Sequence, residues 1–361
     1  MSAPSFHPLT IRECRRETAD TVSILFDVPP DLADRYRFVQ GQHLTLRTAI
    51  DGEEVRRSYS ICSGVDEGEL RVAVKRVEGG LFSTHANQSL APGAVIDVMT
   101  PMGRFHTPLD PAAAKTYAAF AAGSGITPVL SIMKSVLARE PQSRFLLVYG
   151  NRSVSLIIFR EELEDLKNRY MDRLSIHHVL SREPEEAGLL SGRIGADLVR
   201  ELCAGPLDPG TLDAVFLCGP QPMVEEVRDA LASSGTPPDR IHLELFGTVG
   251  SQRPAAPKEA VTSDTPADAA TVTVIQDGQR KEFALPYDGE SILDAAHRHG
   301  ADLPYSCKSG VCCTCRAKLR EGKVAMAENY SLEPWEVEAG YVLTCQSRPL
   351  TERVVIDFDA A

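Results

Sequence analysis

The chain lacks an apolar run long enough to cross a bilayer, and its first residues, MSAPSFHPLT, lack the basic and then apolar pattern of a secretory signal. It also lacks an excess of positive charge, since 38 lysines and arginines face 50 aspartates and glutamates, a formal net charge of −12. Such a surface repels nucleic acid and anionic membranes over most of its extent. We therefore expect a cytoplasmic protein whose main partner is neither nucleic acid nor a membrane.

The nine cysteines do not indicate a disulfide framework. Their number is odd, no leader directs the chain to an oxidising compartment, and four of them crowd into the stretch YSCKSGVCCTCRAK. Close spacing of this kind is typical of metal ligation. Cys14, Cys62 and Cys203 stand apart from the others, and we interpret them as packing residues.

What the sequence contains is a series of segments with different periodicities. At 361 residues it is long enough for several hydrophobic cores. Residues 6–106 hold six short β-type runs punctuated by turn residues, which predict a small antiparallel barrel. From there to about Gly247, apolar strands alternate with helical stretches, which is the pattern of a parallel sheet wound with helices.

The segment from Val249 to Ala270 has no hydrophobic period and is rich in Pro, Ala, Ser and Thr. As a flexible coil such a linker spans roughly 25 Å. Beyond it, alternating strands, one helix, the cysteine loop and a last strand predict a small α+β domain. We therefore predict a barrel domain, an α/β domain, a flexible linker and an α+β domain over residues 1–110, 111–248, 249–270 and 271–361.

The cysteine loop has the spacing C-x4-C-x2-C at Cys307, Cys312 and Cys315, with Cys345 as a distant fourth ligand. This is the plant-type [2Fe–2S] spacing. A structural zinc site is the alternative, although zinc usually takes paired C-x2-C knuckles and only one such pair exists here. Using Cys313 in place of Cys312 gives spacings that fit neither pattern, so we interpret Cys313 as a small packing residue beside the cluster.

A one-electron centre needs a donor that accepts the two electrons of a hydride from a nicotinamide and releases them one at a time. A flavin does this. The stretch RRSYSICS suits a flavin site. Strand alternation places Arg57 and Tyr59 on one face and Ser60 on the other, so a cation for pyrophosphate and an aromatic plate for a ring line one groove. A strand that binds no cofactor, with an exposed arginine and a core tyrosine, would have the same pattern.

A second stretch, EGGLFSTHAN, places Gly79 and Gly80 before a helix start. Free N–H groups at a helix N-terminus favour an anion, here the flavin phosphate. Simple N-capping of the helix by Ser83 is the alternative interpretation.

Two strand ends of the second domain suit a dinucleotide. FAAGSGITPVLSIM places Gly123, Ser124 and Gly125 directly after a strand and before a helix, although it lacks the full G-x-G-x-x-G spacing. FLCGPQPM ends another strand and directs the thiol of Cys218 toward the same crevice. A turn with a buried cysteine is the alternative for this second stretch.

The choice between NADPH and NADH depends on charge. After LVYG the chain reads NRSVSL, with Arg152 and no acid before Glu161, and Ser181 and Arg182 follow the next strand. Cations and hydroxyls suit a 2′-phosphate, whereas a ribose-binding acid suits NADH. The sequence therefore favours NADPH over NADH.

These motifs, in this order, resemble the ferredoxin–NADP reductase superfamily. The R-x-Y-S strand, the G-G-x-F-S turn, the G-x-G-I-T-P loop, the C-G-P turn and the plant-type cysteine loop cover nearly the whole chain. The carboxy-terminal ferredoxin domain looks like that of the reductase components of bacterial multicomponent oxygenases. Longer stretches, among them YRFVQGQHLTL and VAMAENYSLEPWEVEAGYVLTCQ, resemble the reductase subunits of phenylacetyl-CoA epoxidases. That family commonly has a small residue at the position of Cys313, which supports its interpretation as a non-ligand.

The resemblance implies an FAD-binding β-barrel, an NAD(P)-binding α/β domain and a β-grasp [2Fe–2S] ferredoxin domain. It implies that Arg57 binds the FAD pyrophosphate, Tyr59 packs on the isoalloxazine and Ser60 hydrogen-bonds near nitrogen 5. The flavin-binding set is completed by Ser58, Gly80, Leu81, Phe82 and Ser83.

For the nucleotide, the resemblance implies that the G-x-G-I-T-P loop holds the dinucleotide and that Cys218 and Gly219 lie close to the nicotinamide. Glu244 and Phe246 resemble flavin-side elements of such reductases, with Phe246 shielding the ring; a strand end packed on the barrel is the alternative. The loop residues concerned are Gly123, Ser124, Gly125 and Thr127.

The implied activity is electron transfer from NADPH through FAD and a [2Fe–2S] cluster to the oxygenase component of a multicomponent di-iron epoxidase. A reductase for another ring- or steroid-hydroxylating oxygenase is an open alternative, and so is FMN in place of FAD. A redox-sensing iron–sulfur flavoprotein without turnover is the alternative from a different class.

Overall fold

The computed structural model describes residues 4–183, 191–246 and 269–360. The chain divides into two compact units, one of which is Phe6–Phe246 and the other of which contains the residues that follow. Residues 249–268 of the predicted linker lie outside the described residues, and its last two residues already begin a strand. The domain limits drawn from the sequence stay predictions.

The first part of the unit Phe6–Phe246 is a six-stranded antiparallel sheet with the strand order β4-β3-β6-β1-β2-β5. Its two edge strands are joined by a bridge between Ile61 and Val72, which closes the sheet into a barrel. Alternate side chains such as Ile24, Leu44 and Leu46 fill its core, because side chains on successive strand positions point to opposite faces. The strands are β1 (Phe6–Thr18), β2 (Thr21–Asp27), β3 (His43–Ile50), β4 (Glu53–Ser60), β5 (Leu70–Lys75) and β6 (Val95–Met99), with helix α1 (Leu81–Gln88) between the last two.

The second part of the same unit is a five-stranded sheet with the order β11-β10-β7-β8-β9, parallel throughout. Apolar clusters cover both faces of this sheet, which is why its strands read as continuous apolar runs. The strands are β7 (Thr116–Ala122), β8 (Arg144–Asn151), β9 (Leu174–Leu180), β10 (Ala214–Gly219) and β11 (Ile241–Leu245). The helices are α2 (Ile126–Arg139), α3 (Arg160–Arg169), α4 (Ala196–Cys203) and α5 (Gln221–Ser233).

Helix α2 joins the parallel sheet to the barrel. The hydroxyl of Ser131 donates to the carbonyl of Ser63 over 2.7 Å, and Ser135 Oγ accepts from the amide of Val65 over 3.1 Å. Both serines are buried, so these bonds are shielded from water. These bonds fix helix α2 against the barrel, and with it the loop Gly123–Gly125 that precedes the helix.

The unit that contains the cysteine loop has a five-stranded sheet with the order β13-β12-β18-β14-β16 and a separate pair β15-β17. Strands β12 and β18 run parallel, and the other pairs of the sheet are antiparallel. The elements are β12 (Ala269–Gln276), β13 (Gln279–Pro286), α6 (Ile292–Arg298), β14 (Arg316–Glu321), β15 (Val324–Met326), α7 (Pro334–Glu338), β16 (Tyr341–Leu343), β17 (Ser347–Pro349) and β18 (Arg353–Asp357). Helix α6 packs on the sheet through Ile292 and Ala296.

The predicted fold class is confirmed: an antiparallel barrel, a parallel α/β sheet and a small α+β domain follow one another along the chain. Across residues 4–183, 191–246 and 269–360, no helix has the length and apolar character needed to cross a membrane.

Candidate cofactor sites

The R-x-Y-S strand is β4, and its register against β3 sets the direction of its side chains. Arg57 lies opposite Leu46 and Tyr59 opposite Leu44, so both share the face that these core leucines occupy. Ser60 lies opposite His43 on the other face and is buried, and Ser58 Oγ lies 3.1 Å from the hydroxyl of Thr45.

The half-buried guanidinium of Arg57 donates to the carbonyl of Arg56 over 2.7 Å and makes no ion pair with any described carboxylate. A cation without a carboxylate partner is available to an anion such as a pyrophosphate. Tyr59 packs on Phe82, with ring centroids 5.4 Å apart, and burial raises the pKa of its hydroxyl. The cation and the aromatic ring thus lie on one face, as the alternation predicts.

The glycine turn leads directly into α1, and Gly80 is its N-cap. Ser83 is not the cap: its Oγ accepts from the amide of Val77 over 3.1 Å and donates to the carbonyl of Gly80 over 3.3 Å. No side chain caps this end within the part of the chain described. The first-turn amides of Leu81, Phe82 and Ser83 are therefore suited to a phosphate, and the N-capping interpretation of Ser83 is wrong.

The two glycine-containing loops of the parallel sheet meet where the strand order reverses. Strands β8 and β9 lie on one side of β7, and strands β10 and β11 lie on the other. The strand order therefore reverses between β7 and β10, and open parallel sheets bind ligands at the carboxyl end of such a reversal. A Cβ atom on Gly125 would lie 2.1 Å from the carbonyl oxygen of Cys218. Only glycine permits this approach, which brings the loop Gly123–Gly125 against the turn at Cys218 and Gly219.

Two hydroxyls hold this loop in place. Thr127 Oγ1 donates to the carbonyl of Ser124 over 3.0 Å, and the hydroxyl of Tyr149 donates to the carbonyl of Gly123 over 2.9 Å. Tyr149 was not singled out in the sequence, where it is one more apolar residue of RFLLVYG. Its role depends on the neighbouring strand, so no local signal identifies it.

Glu244 lies beside Cys218 across the β10–β11 pair. Its Oε2 is buried and has no hydrogen-bond partner among the described residues, and this burial raises the pKa of Glu244 to about 8. Burial, and then the charge of Glu244, also raise the pKa of the Cys218 thiol. Phe246 directly follows β11 and packs against the apolar cluster that includes Cys218. The site thus contains a partly buried carboxyl whose neutral form is favoured by burial and whose Oε2 has no partner among the described residues.

The residues proposed for nucleotide selection come together at the carboxyl ends of β8 and β9. The amide of Ser181 donates to the carbonyl of Asn151 and the amide of Arg182 to the carbonyl of Arg152, and both arginines are exposed. The structure also brings Glu183 here, where its carboxylate accepts from the amide of Val154 over 3.0 Å. Glu183 directly follows Arg182 in the sequence, but its contact with the loop after β8 is visible only in the fold.

The sulfur atoms of the cysteine loop form two pairs. A hydrogen bond from Cys312 lowers the pKa of Cys307 to about 5, and one from Cys315 lowers the pKa of Cys345. The amide of Ser309 also points to the sulfur of Cys307, with a nitrogen–sulfur distance of 3.3 Å. Cys345, which is distant in sequence, is therefore brought to the three loop cysteines.

This pairing fits a two-iron cluster. Each iron of a [2Fe–2S] cluster needs two thiolates besides the two bridging sulfides, and amide groups directed at sulfur tune its potential. Over the described ranges of the chain, no three His, Cys, Asp or Glu side chains close around a single ion position.

Cys313 is directed elsewhere. Its backbone has a positive φ of 53°, and its thiol donates to the carbonyl of Ser331 over 3.5 Å. This placement supports the prediction that Cys313 is not a ligand. Cys62, one of the predicted packing cysteines, is buried and donates to the carbonyl of Arg71.

Three domain families match the chain in the order of its three domains. The oxidoreductase FAD-binding domain matches residues 8–107, the oxidoreductase NAD-binding domain residues 120–229 and the 2Fe-2S iron-sulfur cluster binding domain residues 274–350. The chain is therefore an oxidoreductase that uses FAD, NAD(P)H and a [2Fe–2S] cluster.

Relatives match along nearly the whole of both chains. The 1,2-phenylacetyl-CoA epoxidase of Escherichia coli has a subunit, designated E, that is 48% identical, over 99% of this chain and 98% of that one. The ferredoxin reductase component of 3-ketosteroid-9-alpha-monooxygenase from Rhodococcus rhodochrous is 38% identical, over 97% and 96%. Among solved structures, phthalate dioxygenase reductase superposes with a TM-score of 0.60 at 26% identity, over 98% of each chain. The chain therefore belongs to the ferredoxin–NADP reductase superfamily, among the reductase components of multicomponent oxygenases that carry a carboxy-terminal [2Fe–2S] domain.

Proposed function

We propose that the chain is the reductase component of a phenylacetyl-CoA epoxidase and that it uses NADPH. The observation that carries this proposal is the 48% identity along 98% of the Escherichia coli epoxidase component, against 38% for the steroid monooxygenase component. Its partner is then the oxygenase component of a multicomponent di-iron epoxidase. We place this system in the cytoplasm.

When bound, FAD accepts a hydride from the nicotinamide and releases single electrons, which the [2Fe–2S] cluster relays to the oxygenase. In the barrel, Arg57 neutralises the pyrophosphate because its guanidinium has no carboxylate partner there. Tyr59, on the same face of β4 as Arg57, covers the isoalloxazine ring. Ser58 and Ser60 lie on the other face of β4. The first turn of α1 binds phosphate through the amides of Leu81, Phe82 and Ser83 after Gly80.

In the sheet, Gly123, Ser124, Gly125 and Thr127 form the loop that holds the dinucleotide, and Cys218 and Gly219 form the facing wall. Burial raises the pKa of Glu244 to about 8, which favours its neutral carboxyl at neutral pH. It is the described group beside Cys218 that can exchange a proton near the reacting ring. Phe246 adds an apolar surface that excludes water.

Cys307, Cys312, Cys315 and Cys345 would hold the [2Fe–2S] cluster, which would supply the one-electron relay. Within each pair the hydrogen bond lowers the pKa of one thiol, Cys307 or Cys345, and raises that of its partner, Cys312 or Cys315.

The 2′-phosphate is held by Arg152, Ser181 and Arg182. Loss of one charge-assisted hydrogen bond to the nucleotide lowers its affinity by roughly tenfold. We therefore expect Arg182→Ala to lower kcat/KM for NADPH by about tenfold and to leave kcat/KM for NADH nearly unchanged. The matched control is Arg144→Ala, an exposed arginine at the opposite end of β8. An unchanged NADPH to NADH ratio in Arg182→Ala would contradict this role.

The function itself is tested in extract of phenylacetate-grown source cells from which this chain has been depleted. We expect the purified chain to restore NADPH oxidation that depends on phenylacetyl-CoA, and the variant Cys312→Ser to fail. If an authentic epoxidase reductase restores activity in the same extract and this chain does not, its partner is another oxygenase.

A further inference from the structure

The segment between β15 and β16 exposes large apolar side chains beside the cluster loop. Tyr330 is 42% exposed, Trp335 54% and Val337 41%, and Trp335 is the single tryptophan of the chain. A lone exposed apolar residue needs no explanation, but three within eight positions form a surface that is costly to keep in water. We call residues 328–338 the docking segment.

Helix α7, within the docking segment, is reversed in polarity. The residue that it buries is charged, since Glu336 is 2% exposed and pairs with Arg316 over 2.9 Å, while Trp335 and Val337 face solvent. Glu333 and Glu336 also form a capping box that fixes the helix start. A buried ion pair and a capping box thus hold a helix on which Trp335 and Val337 stay about half exposed.

The docking segment is bonded to the loop that carries the cluster ligands. The carbonyl of Gly310 accepts from the amide of Tyr330 and from the hydroxyl of Ser331, each over 3.1 Å. The thiol of Cys313 donates to the carbonyl of Ser331. A partner that contacts this segment therefore lies next to the cluster loop.

The charged residues of this stretch of sequence all have one sign. Residues 324–340 contain four glutamates and no lysine or arginine. Glu336 is paired inside, whereas Glu328, Glu333 and Glu338 are exposed. The nearby cation Lys318 donates to the carbonyl of Ala339 at the end of α7. The docking segment is thus an apolar centre with an acidic rim.

We propose that the docking segment is the surface on which the oxygenase component binds to receive electrons, and that its occupant is an apolar pocket of that component with a basic rim. The proposal rests on the proposed function. An aromatic anchor within a charged rim is the anatomy of protein interfaces in which few residues supply most of the affinity. Transient electron-transfer complexes bury little area, so a segment of this size is sufficient.

The test measures phenylacetyl-CoA-dependent NADPH oxidation by the full, cofactor-loaded chain while the concentration of purified oxygenase component is varied. We expect Trp335→Ala to raise the KM for the oxygenase by about tenfold or more, and Val337→Ala to raise it by a smaller factor. Leu350→Ala is the matched control, because Leu350 is 60% exposed in the same domain and lies outside the segment. It should leave this KM within about twofold.

The acidic rim is tested with Glu328→Gln combined with Glu338→Gln. This variant should raise the same KM at low salt and weaken its increase with potassium chloride, because fewer charges are left to be screened. Cluster absorbance and ferricyanide reduction show in each variant that the cofactors are intact.

The outcomes separate the two proposals. A wild-type chain that supports no turnover overturns the proposed function and the docking proposal with it. A wild-type chain that supports turnover, with intact Trp335→Ala and Val337→Ala variants whose KM for the oxygenase is unchanged, overturns the docking proposal alone.

Discussion

At the scale of single residues, burial decides the protonation state of Glu244. Its pKa is about 8 in the fold against an ordinary value of 4.5, so between these values the folded chain keeps a proton that the unfolded chain has lost. The free energy of unfolding therefore falls as the pH rises through this window and is highest below it. This is opposite in sign to the usual behaviour of a carboxylate in an ion pair.

We call the compact unit Phe6–Phe246 the flavin-binding unit. We expect raising the pH from about 5.5 to 8 to lower its free energy of unfolding by roughly 2 kcal/mol through Glu244, a figure that is discounted because the Glu244 side chain is partly exposed. The temperature at which FAD fluorescence is released should fall by about 4–8 °C more in the wild-type chain than in Glu244→Gln. The control is Glu161→Gln, which removes an exposed carboxyl on α3. An equal pH dependence in wild type and Glu244→Gln would show that this carboxyl is ionised when folded.

Cys313 and Cys312 are neighbours with different predicted roles. We expect Cys313→Ser to keep the iron-to-protein ratio and the visible spectrum of the cluster, because its thiol contacts Ser331 and not the four paired sulfurs. Cys312→Ser should lose the cluster, since it removes the hydrogen-bonded partner of Cys307. Loss of iron in Cys313→Ser would assign it as a ligand.

At the scale of elements, the close contact between two loops limits what position 125 can hold. We expect Gly125→Ala to destabilise the flavin-binding unit by about 1–3 kcal/mol, because its Cβ would lie 2.1 Å from a backbone oxygen that cannot move alone. Gly205→Ala is the matched control, since its nearest atom would lie 3.5 Å away. Thermal release of FAD measures both, and equal midpoints would show that the loops separate at little cost.

The strands of the barrel and of the parallel sheet were predictable from sequence because each is a sustained apolar pattern between turn residues. Strands β15, β16 and β17 were not, since each has only three residues and no pattern of that length is distinctive. Helix α7 was also missed. EPWEVE contains the local part of its cause, a capping box with a proline in the first turn, but not the ion pair from Arg316, which reaches Glu336 from a different element.

At the scale of the whole molecule, the order of the three domains and the cluster spacing were predictable, because each motif is local and several occur together. The edge that we propose for nucleotide selection was harder to predict. Arg152 and Glu183 are neighbours there only because β8 and β9 run side by side, and contacts between parallel strands leave no trace in either stretch alone. The same reason applies to Tyr149 beneath Gly123.

We predict that shortening residues 249–270 slows oxygenase turnover and leaves flavin reduction by NADPH unchanged. The composition of this stretch is that of a flexible linker, and the acidic ferredoxin domain must reach both the flavin and the partner. Stopped-flow bleaching of the flavin and steady-state turnover measure the two steps separately. A linker of equal length and scrambled order is the control, and unchanged turnover in the shortened chain would refute the hypothesis.

The position of Cys345 has a consequence for how the protein matures in the cell. The flavin-binding unit is complete at Phe246, whereas the fourth sulfur of the cluster follows β16, near the carboxyl end. Domains fold in the order in which they leave the ribosome. The residues of the flavin-binding unit therefore leave the ribosome before Cys345 does, so we expect that the chain can bind flavin before it can hold a cluster.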